Sequence, residues 1–488
     1  MTDSLKSKTL HAISWSFVES IGSKGVQFVI GIMLARLLSP KDFGLIGMLT
    51  IFMVIAESLL DSGFQSALIQ KPDATPTDIC SIFYFNIAIG LFVAGLLCMI
   101  APWIAAFYGQ PILTPLTRAL SVTIVINSFA LIQNTILTKR IDFKTLTKVS
   151  LFAGGLSGIV GVTLAILGFG VWSLAIQQIS RAFFWTIFMW FVNFWRPKLI
   201  FSFESLREMF GYGSRILVSG LINRTFANSY LLVIGRLFSA IDLGLFTRAK
   251  MMQELPTQTL SWTVGRVTFP VFSTIQNDPG RLKNGFKKAL SLLALINFPL
   301  MIGLMVIARP LVLVLLTEKW AGSIPFLQLL CLAGLLFPVL LINSNLFFAL
   351  GKSNLFLRVS VITKVLIVVN ILITWRWGIS AMIYGMIGIS IVELYLDTYY
   401  TGILINYPIW EQLGDLLPYL SVSALMGIAV YVVGLLPFPN NLFMVLVQIF
   451  LGTVIYVCLC WFFQFTAFME ICQEGWKKKL FLRNRTAE

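Results

Sequence analysis

Residues 34–45 read LARLLSPKDFGL and residues 234–245 read IGRLFSAIDLGL, an offset of 200 with no gap. Arg36, Leu37, Ser39, Asp42, Gly44 and Leu45 coincide with Arg236, Leu237, Ser239, Asp242, Gly244 and Leu245. Carried back to Ser14 and Ser214, 8 of 32 positions are identical, and Lys24 falls on Arg224. Each copy stands where one apolar run ends and the next begins. Ser39 and Ser239 have the chemistry of an N-cap, Pro40 suits a first helical position, and Asp42 and Asp242 sit where the helix dipole favours an anion. Gly44 and Gly244 permit close packing. The first reading is a tight helical corner used twice; the alternative is contact with a substrate.

Outward from these corners the chain is apolar almost throughout. Of its 488 residues 58% are hydrophobic and 12% charged, against about 25% charged in soluble domains. The mean hydropathy is +0.87. Runs long enough to cross about 30 Å of hydrocarbon cover 10–38, 42–66, 79–107, 112–137, 145–168, 171–194, 210–238, 241–270, 286–316, 322–350, 355–375, 379–405, 413–436 and 441–470. Pro, Gly or short polar runs separate them. With the N-terminus in the cytoplasm, 21 Lys and Arg outside the spans fall on the cytoplasmic side and 3 on the outer side, as the positive-inside rule requires. The polar start, Met1–Leu10, lacks the features of a cleavable signal peptide.

The expected fold is all-α and polytopic, with about 14 transmembrane helices in two six-helix lobes related by a parallel repeat, plus two C-terminal helices. The lobes are expected at 1–200 and 201–406, the added helices at 407–470, and a basic cytoplasmic tail at 471–488. Both termini are placed in the cytoplasm of a bacterium, and the chain in its inner membrane.

The net charge of +15 reflects topology and not nucleic-acid binding. His11 is the only histidine, which argues against a His-based metal site or a Ser-His-Asp triad. The six cysteines lie in or beside apolar segments and form no disulfide framework. No catalytic residue, metal or cofactor is expected.

Twelve of the 36 basic residues fall inside the spans. Each would cost roughly 2.5–3.5 kcal/mol at a lipid-facing helix centre. Lys24, Arg181 and Arg224 lie too near helix centres to reach the interface. Three polar faces accompany such charges: Ser16, Ser20, Ser23 and Gln27 beside Lys24; Gln177, Gln178 and Arg181; and Thr247, Lys250, Glu254, Gln258 and Ser261. Inter-helix packing is one reading; a water-filled cationic lumen suits three converging faces better. Glu57 and Asp61 are four residues apart, as are Glu393 and Asp397. They either pair with nearby cations or bind H⁺ or Na⁺ during transport. A lumen rich in Lys and Arg selects an anion, and two lobes rocking about a central site give alternating access. The residues thus describe a transporter for a large anionic or phosphorylated solute.

The segments ARLLSPKDFGLIGM (35–48), DSGFQSALIQ (61–70), LTKRIDFKTL (137–146) and GFGVWSLAIQQ (168–178), in this order and spacing, resemble the multidrug/oligosaccharidyl-lipid/polysaccharide exporter superfamily. Within it the chain is similar to the polysaccharide transport branch, of the colanic-acid exporter type. The resemblance covers nearly the whole chain. It implies a flippase that moves undecaprenyl-diphosphate-linked oligosaccharide repeat units across the inner membrane, for exopolysaccharide or lipopolysaccharide synthesis. Its partners would be the polyprenyl-linked oligosaccharide, membrane lipids, a polysaccharide polymerase and a chain-length regulator. From their positions, Lys24, Arg181, Arg224, Arg248, Lys250 and Arg266 are candidate contacts for diphosphate or sugar acids. Glu57, Asp61 and Glu254 are candidates for ion coupling. The competing readings are a flippase for a peptidoglycan lipid precursor, a multidrug/cation antiporter of the same superfamily, and a membrane-embedded glycosyltransferase or polymerase.

Overall fold

A computed structural model describes residues 22–61, 63–71, 73–470 and 472–473, and at 261–263 and 266 it describes the backbone alone. Ser16, Glu19, Ser20 and most of the tail expected at 471–488 lie outside this range. Every regular element among the described residues is a helix. Apart from two short 3-10 helices, Glu318–Ser323 and Trp375–Trp377, and a helical turn at 466–470, they are in chain order α1 (22–37), α2 (Pro40–Asp61), α3 (Phe64–Gln70), α4 (Pro76–Tyr108), α5 (Leu113–Lys139), α6 (Phe143–Ile166), α7 (Val171–Val192), α8 (Phe203–Ala227) and α9 (Ser229–Leu237). There follow α10 (Ala240–Thr274), α11 (Pro279–Val306), α12 (Ala308–Leu316), α13 (Ile324–Ala349), α14 (Ser353–Thr374), α15 (Ile379–Ile405), α16 (Ile409–Val433) and α17 (Asn441–Phe462).

The helices begin and end where local chemistry directs. Thr75 and Asp78 form a reciprocal capping box with Pro76 inside it, and Asp142, Ser202, Asp278 and Asn440 accept a backbone N–H at the starts of α6, α8, α11 and α17. Each such cap is worth about 1 kcal/mol. Gly109 closes α4 in the left-handed conformation, which glycine adopts without a Cβ penalty.

By length and apolarity, ten described helices can cross a membrane, or eleven if the bent pair α8–α9 is one span, against about 14 expected from the sequence. The difference has a physical cause. The first expected span begins outside the described residues. Helices α7 and α10 fall short because Gln177, Gln178 and Arg181, and Arg248, Lys250 and Glu254, stand in their interiors, and such residues weigh heavily against apolar length.

The chain divides into two compact units, Met1–Thr247 and Arg248–Glu488. The division falls inside α10; the boundary expected from the sequence repeat lies at 200/201. In the first unit α4 and α5 pack through small residues, with Gly90 against Ser128. The α2–α3 break at Gly63, φ 70°, lies against the backbone of Gly213 in α8, an approach that leaves no room for a side chain. In the second unit a buried cluster joins Phe286, Leu290 and Phe298 of α11 to Ile342 and Leu346 of α13 and Leu416 and Tyr419 of α16.

The two repeat corners have one local structure. Asp42 N donates to Ser39 Oγ at 3.3 Å while Asp42 Oδ2 accepts from Ser39 N at 2.9 Å. In the second copy Asp242 N donates to Ser239 Oγ at 3.0 Å and Asp242 Oδ2 accepts from Ser239 N at 3.2 Å. Both are capping boxes with an aspartate in the glutamate's place. The corners also meet each other. A Cβ added at Gly44 would overlap the Ala240 carbonyl oxygen, and one at Gly244 would overlap that of Pro40. Residue 44 touches 240 as 244 touches 40, so the contact is self-complementary in the manner of a two-fold axis.

Candidate functional site

Four charged residues of the first unit act on one another from three helices. On α2, Glu57 and Asp61 lie one turn apart on one side, and Ser58 lies next to Glu57 and is buried. Arg224 of α8 donates from Nη1 to Ser58 Oγ at 3.1 Å. Arg224 and Arg181 of α7 both act on Glu57 through their charge, and Arg224 acts on Asp61. Among the described residues no salt bridge joins these four groups. Glu57 is exposed, whereas Ser58 beside it is buried. An anion bearing several oxygens can bridge two such guanidinium groups by charge-assisted hydrogen bonds.

Sequence reasoning missed one member of this region. Asn86 of α4 is fully buried, and neither its Oδ1 nor its Nδ2 has a hydrogen-bond partner among the described residues. On α4 it shares a face with Ile82 and Gly90. Gly90 abuts Leu60, and Phe85 packs on Phe64 with ring centroids 5.1 Å apart. Asn86 therefore stands level with the end of α2, where Asp61 Oδ1 is likewise buried without a partner. Buried polar atoms left unbonded are costly and call for a water, an ion or a ligand group. The only sequence signal was a lone amide in the uncharged run 79–107.

The remaining candidates are placed apart from this group. Lys24 on α1 is partly exposed, and its neighbour Ser23 bonds Ser150 of α6 at 2.7 Å. Arg248 is 6% exposed, and its guanidinium lies 5.8 Å from the ring centre of the fully buried Trp320. It is held in the wall of the second unit and does not present its charge to open space. Lys250 and Glu254 form an i,i+4 pair at 3.7 Å. Thr247, Lys250, Glu254 and Gln258 are half-exposed, while Ala249, Met252, Gln253 and Thr257 on the other side of α10 are buried. The side chains of Ser261 and Arg266 are outside the described part. Ser39, Asp42, Gly44, Ser239, Asp242 and Gly244 make the paired corners, where each side chain is engaged in capping or close packing.

Comparison with known proteins agrees with this architecture. The profile of the family described as "Polysaccharide biosynthesis protein" matches residues 33–325. The teichuronic acid biosynthesis protein TuaB of Bacillus subtilis is 27% identical over 84% of this chain and 88% of its own length. The lipopolysaccharide biosynthesis protein WzxC of Escherichia coli is 28% identical over 68% of each chain. Among solved structures, the lipid II flippase MurJ in an inward closed conformation superposes with a TM-score of 0.76 at 15% identity, covering 93% of this chain and 98% of its own. That likeness establishes the fold, an all-α one.

Proposed function

The chain belongs to the polysaccharide biosynthesis protein family, and from that premise we propose that it is a flippase carrying polyprenyl-diphosphate-linked oligosaccharide from the cytoplasmic to the outer leaflet of a bacterial inner membrane. The observation that carries this reading is the pair Arg181, in the middle of α7, and Arg224, in the last turn of α8, both close enough to act on Glu57 through their charge and without a salt bridge among the described residues. Lipid would not tolerate them, and a diphosphate would satisfy both. The diphosphate is also the one constant anionic part of a substrate whose sugars vary. Lys24, Lys250 and Arg266 are further basic candidates to be tested singly, whereas we assign Arg248 to packing on Trp320. Alternating access moves the headgroup past this point, and the product passes to a polymerase and a chain-length regulator on the outer side. Both termini remain in the cytoplasm.

Glu57 and Asp61, with Glu254, are the groups we propose for coupling to H⁺ or Na⁺. Support comes from the unbonded Asp61 Oδ1 and its companion Asn86. A proton or cation taken up there would weaken the electrostatic attraction between Arg224 and Asp61.

The decisive experiment changes Arg181 and Arg224 singly to Ala at unchanged protein level. A charged hydrogen bond to phosphate is worth about 1.5–3 kcal/mol, so each change should lower surface polysaccharide roughly tenfold or more while lipid-linked repeat units accumulate. Normal polymer in both strains would remove the pair from the substrate path. Accumulation of peptidoglycan precursor in place of repeat units would redirect the assignment to that lipid.

A further inference from the structure

Helix α11 contains Pro299 and α13 contains Pro338 in their interiors. A proline lacks an N–H, so the carbonyl four residues before it loses its helical partner. Those carbonyls belong to Leu295 and Gly334, and in apolar surroundings an unbonded carbonyl is expensive. Each is taken up by a side chain from a neighbouring helix. The hydroxyl of Tyr456, on α17, donates to Leu295 O at 2.7 Å. The amide Nδ2 of Asn297, on α11, donates to Gly334 O at 3.1 Å and to Leu335 O at 3.0 Å. The register is informative: along two long helices the donors reach the very carbonyls that the prolines set free. In return Gln328 Nε2 of α13 reaches Met305 O, in the last turn of α11, at 3.4 Å.

The C-terminal helices hold α11 at its basic end as well. Lys283 pairs with Glu411 at 2.7 Å, Lys287 with Asp415 at 2.9 Å and Lys288 with Glu470 at 2.6 Å. Beyond the proline α16 packs on α11 again, with Met426 and Val430 against Ile302. Straightening α11 at Pro299 would pull Leu295 O from Tyr456. It would also displace Asn297, two residues before the proline, from the kink of α13.

We propose that α16 and α17, which stand outside the sequence repeat, latch the bend of α11 through the Tyr456 hydroxyl, and that Asn297 passes this bend to α13, so that the two proline kinks act as one hinge. The device is independent of which substrate is carried.

The test is hydrogen exchange in the purified full-length protein in lipid nanodiscs. Tyr456→Phe removes only the hydroxyl. It should speed exchange around 291–303 roughly tenfold, the order expected for a buried acceptor left unbonded, with a parallel increase around 330–340. Pro299→Ala restores an N–H that can bond Leu295 O. On that background Tyr456→Phe should add nothing. Exchange in Tyr456→Phe equal to the unaltered protein, or effects of the two substitutions that add, would overturn the latch. An α13 that stays unchanged would overturn the relay. If Tyr456→Phe does not accumulate in membranes, accumulation of the double variant supports the latch. Failure of the double variant where Pro299→Ala alone accumulates overturns it.

Discussion

One methyl group at Gly44 or Gly244 measures how much the crossing of the two repeat corners matters. An alanine Cβ at either site would fall on a backbone carbonyl oxygen of the other corner, well inside the 3.0 Å that real Cβ atoms keep. No rotamer change relieves an overlap with backbone, so α2 and α10 must part. Parting also loosens Leu243, which sits at 3.2 Å from the Cβ position of Gly47 and 3.1 Å from that of Gly235. Forced overpacking costs about 1–3 kcal/mol, a change of roughly five- to 150-fold in the folded fraction. The two overlaps lie on one interface, and a single separation relieves both. Gly44→Ala/Gly244→Ala should therefore cost clearly less than the sum of the single changes, a non-additivity that distant sites do not show. Denaturant unfolding of the three purified variants in one detergent, followed by helical circular dichroism, provides the cycle. Costs that add within about 0.5 kcal/mol, or a neutral Gly44→Ala, would refute the reciprocal contact.

Two further outcomes are expected. Arg248→Lys keeps the charge but loses the flat guanidinium over Trp320, so it should destabilise the protein by about 1 kcal/mol with transport per folded molecule unchanged; a transport defect at normal stability would return Arg248 to the substrate path. Lys71, at the end of α3, has its ammonium pKa raised by its hydrogen bond to Glu208 and then by Asp78. Because the folded value is raised, its contribution is complete below the ordinary 10.5 and is lost as pH climbs through the folded value. Unfolding curves of the unaltered protein and Lys71→Met should differ at neutral pH and converge in strong alkali; a gap that widens with pH would contradict the assignment.

Much of the helix placement was legible in the sequence, because apolar length, caps and breaks are local. The corners at Ser39 and Ser239 were legible for the same reason: a cap is written within four residues. The half-exposed stripe of α10 could be read from its 3.6-residue period. What escaped was decided by helix rotation and by partners far away in the chain. Arg248 has the same composition cue as Lys250, yet its place two residues earlier on the helix turns it inward to a tryptophan 72 positions on. The bond from Arg224 to Ser58 spans 166 residues. Asn86 carries no periodic signal at all; its importance appears only when α2 and α4 are seen side by side.

The weak apolarity of α7 bears on how the protein is made. A helix with Arg181 at its middle meets a penalty of roughly 2.5–3.5 kcal/mol when it leaves the translocation channel for lipid. Its predecessor α6 offers a recess at Gly161, into which Gln177 fits, so the two helices can enter as a hairpin with the polar side of α7 already shielded. At that stage of synthesis α8 is not yet exposed, and Arg224 has still to reach Ser58. The cationic wall is thus built in two instalments, and the first must wait beside α2 and α5 until the second arrives.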